Sequence, residues 1–166
     1  SPKQTEEVMA LLRSETGRFM FTSTHRLLND RGKIIITPRY GQSPEEYRFN
    51  SLDDMRISGL FSDMRLTEPL DEAIPSSPLI ASLDLDLVTF PVTVRPWEPG
   101  DRFMPLGMKT MKKISDFLID LKVPVSEKEK VLLLVSETGV IWVMGYRIDN
   151  RYRISDQTAR ILVLTL

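Results

Sequence analysis

Apolar residues recur along this chain in two registers. In residues 3–13, Val8, Leu11 and Leu12 fall on one side of a helix; Ser1 is placed to cap it and Pro2 suits its first turn. Thr16-Gly17 ends that pattern. The runs RFMFTSTHRLL and KIIIT, separated by NDRG, read as strands around a tight turn. Residues 46–49 and 54–70 read as weak strands broken by Gly59 and Pro69. A strand is expected near 79–83, a turn at Asp84–Asp86, and a second strand near 91–95. Further on, Ile114, Phe117, Leu118 and Leu121 stand at i, i+3, i+4 and i+7, which predicts an amphipathic helix stopped by Pro124. Ser126 with Glu129 three residues later has the form of a capping box and predicts one more short helical piece. The runs VLLLV, VIWVMGYRI, RYRIS and RILVLTL read as four strands. The first is apolar throughout, so it is predicted to be central and covered on both faces.

These elements predict an α+β protein. An N-terminal helix and small β region come first, then a C-terminal domain in which a short helix packs on a mostly antiparallel sheet or sandwich. Residues 38–50, with two Pro, a Gly and mixed polar groups, and the stretch LDEAIPSSP read as loops. They divide the chain into 1–40, a connecting segment 41–78 and a domain over 79–166. No internal repeat is evident.

A length of 166 residues suffices for one domain or two small ones. There is no cysteine, which removes disulfides, thiolate catalysis and Cys-based zinc sites together and fits a cytoplasmic location. No apolar run approaches the ~20 residues that cross a bilayer, so no membrane partner is expected. Glu6 and Glu7 sit where a signal peptide would need its apolar core. The net charge of −1 conceals an asymmetry. Residues 1–90 carry 10 Lys and Arg against 14 Asp and Glu, whereas residues 91–166 carry 12 against 9. The second half is therefore the expected contact for a polyanion.

Catalytic groups are sparse. His25 is the only histidine and has no ligand set near it in sequence. Asp84 and Asp86 are more simply turn formers than metal ligands. Ser115-Asp116 reads as helix-start chemistry in the absence of a base. None of GxxxxGK[ST], GxGxxG or SGGxDS occurs, so no segment offers the amide cradle a nucleotide phosphate needs. A complete active site, a bound cofactor and a metal are accordingly not expected on this chain. What the sequence does offer is cations interleaved with aromatics: Arg95, Trp97, Arg102, Phe103, Lys109, Lys112 and Lys113 within 19 positions, then Arg147, Arg151, Tyr152 and Arg153. Lys112 and Lys113 stand at the mouth of the predicted helix. The helix dipole opposes cations there by ~0.3–1 kcal/mol each unless an anion is present. Solvated lysines, and Arg102 paired with Asp101 or Asp116, are the bland alternative.

The segments DLDLVTFPVTVRPWEPGDRFMPLGMKTMKKISDFLIDLKVP, VIWVMGYRIDNRYRIS and QTARILVLTL resemble the C-terminal domain of bacterial tRNA(Ile)-lysidine synthetases. The likeness rests on an R-x-W-x-x-GDRF-x-PLGM loop, a K-K-x-SDF-x-x-D-x-K-V-P helix and a W-V-x-G-x-R-I-D-x-R strand pair. GRFMFTSTHRLLNDRGKIIITP looks like the end of the family's preceding substrate-binding region, which would occupy residues 1–40. One departure is KTMKK, where the family often has Gly at the Thr110 or Met111 position. The resemblance implies a PheT/TilS-like domain over 79–166 that contacts tRNA(Ile) toward its acceptor stem. It also implies an ATP-dependent ligase. That enzyme activates C2 of an anticodon cytidine and joins lysine to it, in an N-terminal catalytic domain that carries SGGxDS and would bind ATP and Mg. That domain would be the natural partner of this non-catalytic region, and a homodimer stays open. Carried over residue by residue, the implied tRNA contacts are Arg95, Arg102, Lys109, Lys112 and Lys113, with Lys122, Arg147 and Arg151 behind them. Two other classes compete. One is an interaction domain whose loop packs on a neighbouring domain or dimer partner without touching nucleic acid. The other is a small enzyme using Asp84, Asp86 or His25.

Overall fold

A computed structural model describes residues 2–38, 46–69 and 73–166. Contacts divide these residues into two compact units. The expected cap at Ser1, and parts of the loops expected at 38–50 and 70–78, lie outside the described residues.

The first unit holds residues 2–38 and 51–61. Helix α1 (Pro2–Leu12) precedes strands β1 (Phe19–Phe21), β2 (His25–Asp30) and β3 (Lys33–Pro38), which form an antiparallel sheet in sequence order. The run RFMFTSTHRLL is thus two strands rather than one. Thr22 turns the chain there: its hydroxyl accepts the His25 amide at 2.9 Å and donates to the His25 carbonyl at 3.1 Å. The NDRG turn is tight, with Arg31 at φ 52° and Gly32 at φ 78°. Leu11, Met20 and Leu27 make the small core, with Val8 and Ile34 against it. Buried Asn29 ties sheet to helix. Its amide shares hydrogens among the carbonyls of Leu11 (2.9 Å), Leu12 (3.3 Å) and Ser14 (2.9 Å) where α1 ends; the Leu11 carbonyl also accepts the Ser14 amide and hydroxyl.

The strand expected over 54–58 is a helix, α2 (Leu52–Ser58). Ser51 caps it by accepting the Asp54 amide at 3.2 Å, Asp53 and Asp54 suit its first turn, and Gly59 closes it at φ 65°. These local signals outweigh the weak apolar alternation of the segment.

The second unit holds residues 46–50, 62–69 and 73–166. Its strands are β4 (Tyr47–Phe49), β5 (Asp63–Thr67), β6 (Ile80–Asp84), β7 (Val92–Pro96), β8 (Arg102–Phe103), β9 (Lys112–Lys113), β10 (Leu132–Ser136), β11 (Gly139–Val143), β12 (Arg147–Ile148) and β13 (Ile161–Thr165). Helices α3 (Ile114–Asp120) and α4 (Val125–Lys128) lie between β9 and β10. An antiparallel five-stranded sheet runs β12-β11-β10-β7-β4, a three-stranded one β5-β13-β6, and β8-β9 form a ribbon. Strand β10, the VLLLV run, is central as its apolar pattern requires, with Leu133 and Leu134 both buried on opposite faces. The α+β class and the short helix on an antiparallel sheet are those read from the sequence.

The helix covers the sheet through Ile114, Phe117 and Leu118, which join Phe103, Val131, Leu133, Val140 and Val143 in one core. Leu121 departs from the expected face. It lies past the last helical residue and is 44% exposed. α4 starts from Pro124 rather than Ser126, and no side chain caps it, so SEKE does not act as a capping box. RYRIS is no strand: Asn150–Tyr152 forms a 3₁₀ turn capped by Asp149, a residue whose side chain competes for backbone amides. VIWVMGYRI breaks at 144–146, where Gly145 adopts φ 83°.

Asn29→Ala is expected to lower the unfolding free energy of the first unit by about 1–3 kcal/mol, since it removes a buried amide that joins the sheet to the end of α1. Hydrogen exchange of the β2 amides under urea checks this, with Ser126→Ala as a surface control within about 0.5 kcal/mol of wild type.

Candidate nucleic-acid interface

The cation-rich stretch begins at the end of β7. Arg95 donates two parallel bonds to the Asp101 carboxylate, at 2.8 and 2.9 Å, and a third to the Pro96 carbonyl at 2.9 Å. Asp101 also accepts the Glu98 amide at 2.7 Å, so the turn over 98–101 is closed from within. Burial pushes the Asp101 carboxyl up, but the Arg95 hydrogen bonds, the Glu98 amide and the Arg95 charge outweigh it. The net position is below the ordinary carboxylate range. The same hydrogen bonding raises the Arg95 pKa against the opposing effect of its own burial. Arg95 is therefore committed to shaping the loop. Trp97 anchors it further, donating from Nε1 to the Lys128 carbonyl at 2.7 Å.

The β8–β9 ribbon sets Arg102 opposite Lys113 and Phe103 opposite Lys112. Alternation sends Phe103 inward, where its ring meets Phe117 edge-on at 4.9 Å. Lys112 is half-buried on the same side and pairs with Asp120 at the end of α3. Arg102 and Lys113 are left together on the outer side, both exposed. Directly opposed side chains in such a ladder lie about 4.5–5.5 Å apart at Cβ, and like charges there repel. Neither forms an ion pair among the described residues; the Asp101 that could serve Arg102 is taken by Arg95. Lys113 is also the residue that opens α3, where the helix dipole adds to the repulsion.

The loop from Met104 to Met111 is pinned from the β12 side. Asp149 is fully buried and accepts the Met104 amide at 2.8 Å. The same carboxylate takes the Arg151 amide at 2.8 Å and two guanidinium bonds at 2.9 Å. The Asn150 side-chain Oδ1 accepts the Gly107 amide at 3.0 Å, and its backbone amide donates to the Met104 carbonyl at 2.6 Å. The guanidinium of Arg151 lies over Gly139: a Cβ there would stand 3.2 Å from Nη2, and φ at that glycine is 132°. Hydrogen bonding to Asp149 raises the Arg151 pKa despite some burial. GDRF-x-PLGM and R-I-D-N-R are thus two halves of one interlocked structure.

The eight sequence-derived candidates therefore fall into three groups. Arg95 and Arg151 are bound into bidentate carboxylate pairs that build the loop. Lys112 pairs with Asp120, and the Arg147 guanidinium sits 5.5 Å over the Phe117 ring. Arg102, Lys109, Lys113 and Lys122 are exposed and form no ion pair among the described residues. Lys122 takes φ 53°, ending α3 with its amide on the Ile119 carbonyl (2.8 Å) and the Val123 amide on that of Leu118 (3.0 Å). Glycine usually fills that position. Sequence reasoning overlooked Asp101, Asp149 and Asn150 as organisers; the available signal was an acid one or two residues from an arginine in GDR and DNR. Asp84 accepts the Thr158 hydroxyl at 2.8 Å and the Asp86 amide at 3.1 Å, Asp86 pairs with Arg160, and the His25 ring bonds the Thr24 hydroxyl at 2.8 Å. Among the described residues no group of His, Asp and Glu is gathered to hold a metal, and no helix is long and apolar enough to cross a membrane.

Residues 92–164 match the family model described as the TilS substrate C-terminal domain, and residues 1–39 match the TilS substrate binding domain. A tRNA(Ile)-lysidine synthase of Parabacteroides distasonis is 37% identical over 96% of the chain, and one of Bacteroides thetaiotaomicron 28% identical over 96%. The chain spans 37% and 35% of their respective lengths. A crystal structure of a TilS C-terminal domain superposes with a TM-score of 0.53 at 22% identity, covering 61% of this chain and 78% of that one, which fixes the fold alone.

The Arg95–Asp101 pair has a pH signature. A lowered folded pKa gives stability that is fully present above the ordinary Asp value of about 3.9 and is lost as pH falls through the folded value. Arg95→Gln should therefore destabilise the second unit at pH 7 and progressively less below about pH 4. Urea midpoints of wild type and variant from pH 7 to 2.5 should converge; parallel curves would contradict the pairing.

Proposed function

The chain belongs to the tRNA(Ile)-lysidine synthase family, and on that footing we propose that its second unit holds tRNA(Ile) by the phosphate backbone while the ligase chemistry is done elsewhere in the whole enzyme. The supporting observation is the Arg102–Lys113 pair. Two exposed like charges face each other across a rigid ribbon, beside a helix end that also disfavours them. A phosphate between them would turn that repulsion into two charge-assisted contacts. Lys109 and Lys122 are further exposed cations of the unit, whereas Arg95, Lys112 and Arg151 are committed to carboxylates and Arg147 lies over Phe117.

Contacts of this kind suit an RNA duplex, which is read by phosphates, 2′-hydroxyls and shape because its major groove is too narrow for side chains. That favours the acceptor-stem side of the tRNA. The remaining length of the relatives would supply the ATP- and Mg-dependent joining of lysine to the anticodon cytidine, in a cytoplasmic enzyme. Residues 1–40 would end its substrate-binding region, 41–78 would connect, and 79–166 would bind the tRNA. Exposed Leu106, Met108 and Met111 in the same loop favour a second reading, in which the loop docks on a neighbouring domain or a dimer partner.

Mobility-shift titration separates the two. Arg102→Ala with Lys113→Ala is expected to weaken tRNA(Ile) binding at least tenfold at 0.1 M salt and to reduce the log–log salt slope by about 2. Lys130→Ala, at an exposed lysine paired with Glu127, should stay within twofold. Unchanged affinity and slope in the double variant would leave the docking reading in place.

A further inference from the structure

Phosphate contacts leave one part of the 102–113 hairpin unused. The β8–β9 ribbon closes on the loop from Met104 to Met111, and residues 106–111 of that loop are all exposed. Pro105 to Met108 form a tight turn. The Met108 amide donates to the Pro105 carbonyl at 2.8 Å, and Gly107 takes φ 87°, the left-handed conformation that the third residue of a type II turn needs. That turn presents Leu106 at its corner with Met108 beside it, and Met111 stands where the loop rejoins the ribbon, next to Lys112 and Lys113. Leu106 is 44%, Met108 37% and Met111 42% exposed. The backbone under them is fixed: the Leu106 amide donates to the Ile148 carbonyl at 3.0 Å, and the Gly107 amide to Asn150 Oδ1 at 3.0 Å. Three apolar side chains are therefore held out in water on a frame that does not let them collapse.

Charge narrows what covers them. Residues 102–115 contain Arg102, Lys109, Lys112 and Lys113 and no acidic residue. All of these cations but half-buried Lys112 are exposed. An apolar tip with a cationic collar is complementary to a surface that is apolar at its centre and anionic at its rim. The flank of an RNA duplex does not fit that description, since it offers phosphates and ribose hydroxyls. The end of a duplex does: the outer face of the last base pair is flat and apolar, and phosphates surround it. Leucine and methionine are among the side chains that nucleic-acid-binding proteins set against unstacked base faces, and a thioether packs well on an aromatic ring.

We propose that this loop caps an open end of the bound RNA duplex: Leu106, Met108 and Met111 cover the face of the terminal base pair, while Arg102, Lys109 and Lys113 hold the phosphates around it. The inference rests on the RNA-binding reading and deepens it, from contact along a duplex to recognition of where the duplex stops. It also gives the apolar side chains of the loop the same partner as its cations.

The test compares two RNAs with the whole chain: a short blunt-ended duplex, and the same base pairs closed at both ends by hairpin loops. The closed form carries more phosphates, so backbone contacts alone would favour it or leave the two equal. The blunt duplex should bind about tenfold more tightly. It alone should move the Met108 and Met111 methyl NMR signals upfield, as the ring current above a base face requires. Met108→Ser with Met111→Ser should cancel that preference with the urea midpoint unchanged, because both side chains are exposed. Met108→Leu with Met111→Leu should keep the preference, because the end needs apolar area rather than sulfur. Equal affinity of the wild type for the two RNAs, or a serine variant that still prefers the blunt duplex, overturns the proposal. So does self-association of the chain that the serine variant abolishes while the wild type shows no blunt-end preference, which would assign the tip to a second copy. The backbone reading is judged separately: it stands if Arg102→Ala with Lys113→Ala weakens both RNAs, and it falls if neither RNA responds.

Discussion

The loop that leads from Arg102 to Lys113 depends on one enclosed carboxylate. Asp149 is fully buried and accepts four hydrogen bonds, one from the Met104 amide and three from Arg151. A charge removed from water is tolerated only when its lone pairs are filled and a counter-charge is close. Here the counter-charge is the neighbouring arginine, and one of the filling donors belongs to a segment 45 residues away in sequence. The carboxylate thereby joins the β12 edge of the sheet to the start of the 104–111 loop. At the other end of the ribbon the Arg95–Asp101 pair does the same for the turn over 98–101. Between these two fixed points the β8–β9 ribbon has little freedom, and the side chains it carries outward are held in place by a rigid frame.

That rigidity gives the cations their meaning. Flexible lysines on a free loop would spread apart and lose their repulsion to solvent. The backbones of Arg102 and Lys113 are paired by register and cannot separate without breaking the ribbon beneath them, whose inward face is the fully buried Phe103. The apolar core and the polar surface thus make opposite demands on the same four residues, and the core decides where they stand. Under the proposed function, a phosphate set between the two cations relieves that repulsion.

The sequence made much of this legible where periodicity was strong. Ile114, Phe117 and Leu118 announced α3, and VLLLV announced a central strand. Legibility failed where a polar side chain competes for backbone amides. Ser51 and Gly59 turn a weakly alternating run into α2, and Asp149 converts RYRIS into a 3₁₀ turn, effects that hydrophobic pattern alone does not carry. The candidate interface was legible as composition and not as geometry. Nothing local in RPWEPGDRF tells that Arg95 rather than Arg102 takes Asp101, because that choice is made by the register of β7 against the turn. Nor does DNR reveal that its aspartate reaches Met104.

On the proposed function, Lys113 opposes Arg102 in the free chain and is relieved only when an anion is bound. The most direct measurement is the urea unfolding free energy of Lys113→Gln relative to wild type, in the absence of RNA, at 0.02 M and at 1 M salt. Removing one of two opposed like charges should stabilise the free chain at low salt by about 0.2–1 kcal/mol. The difference should fade at 1 M salt, where screening acts over about 3 Å. Equal or lower stability of the variant at low salt would mean that Lys113 serves the fold, and would contradict the claim.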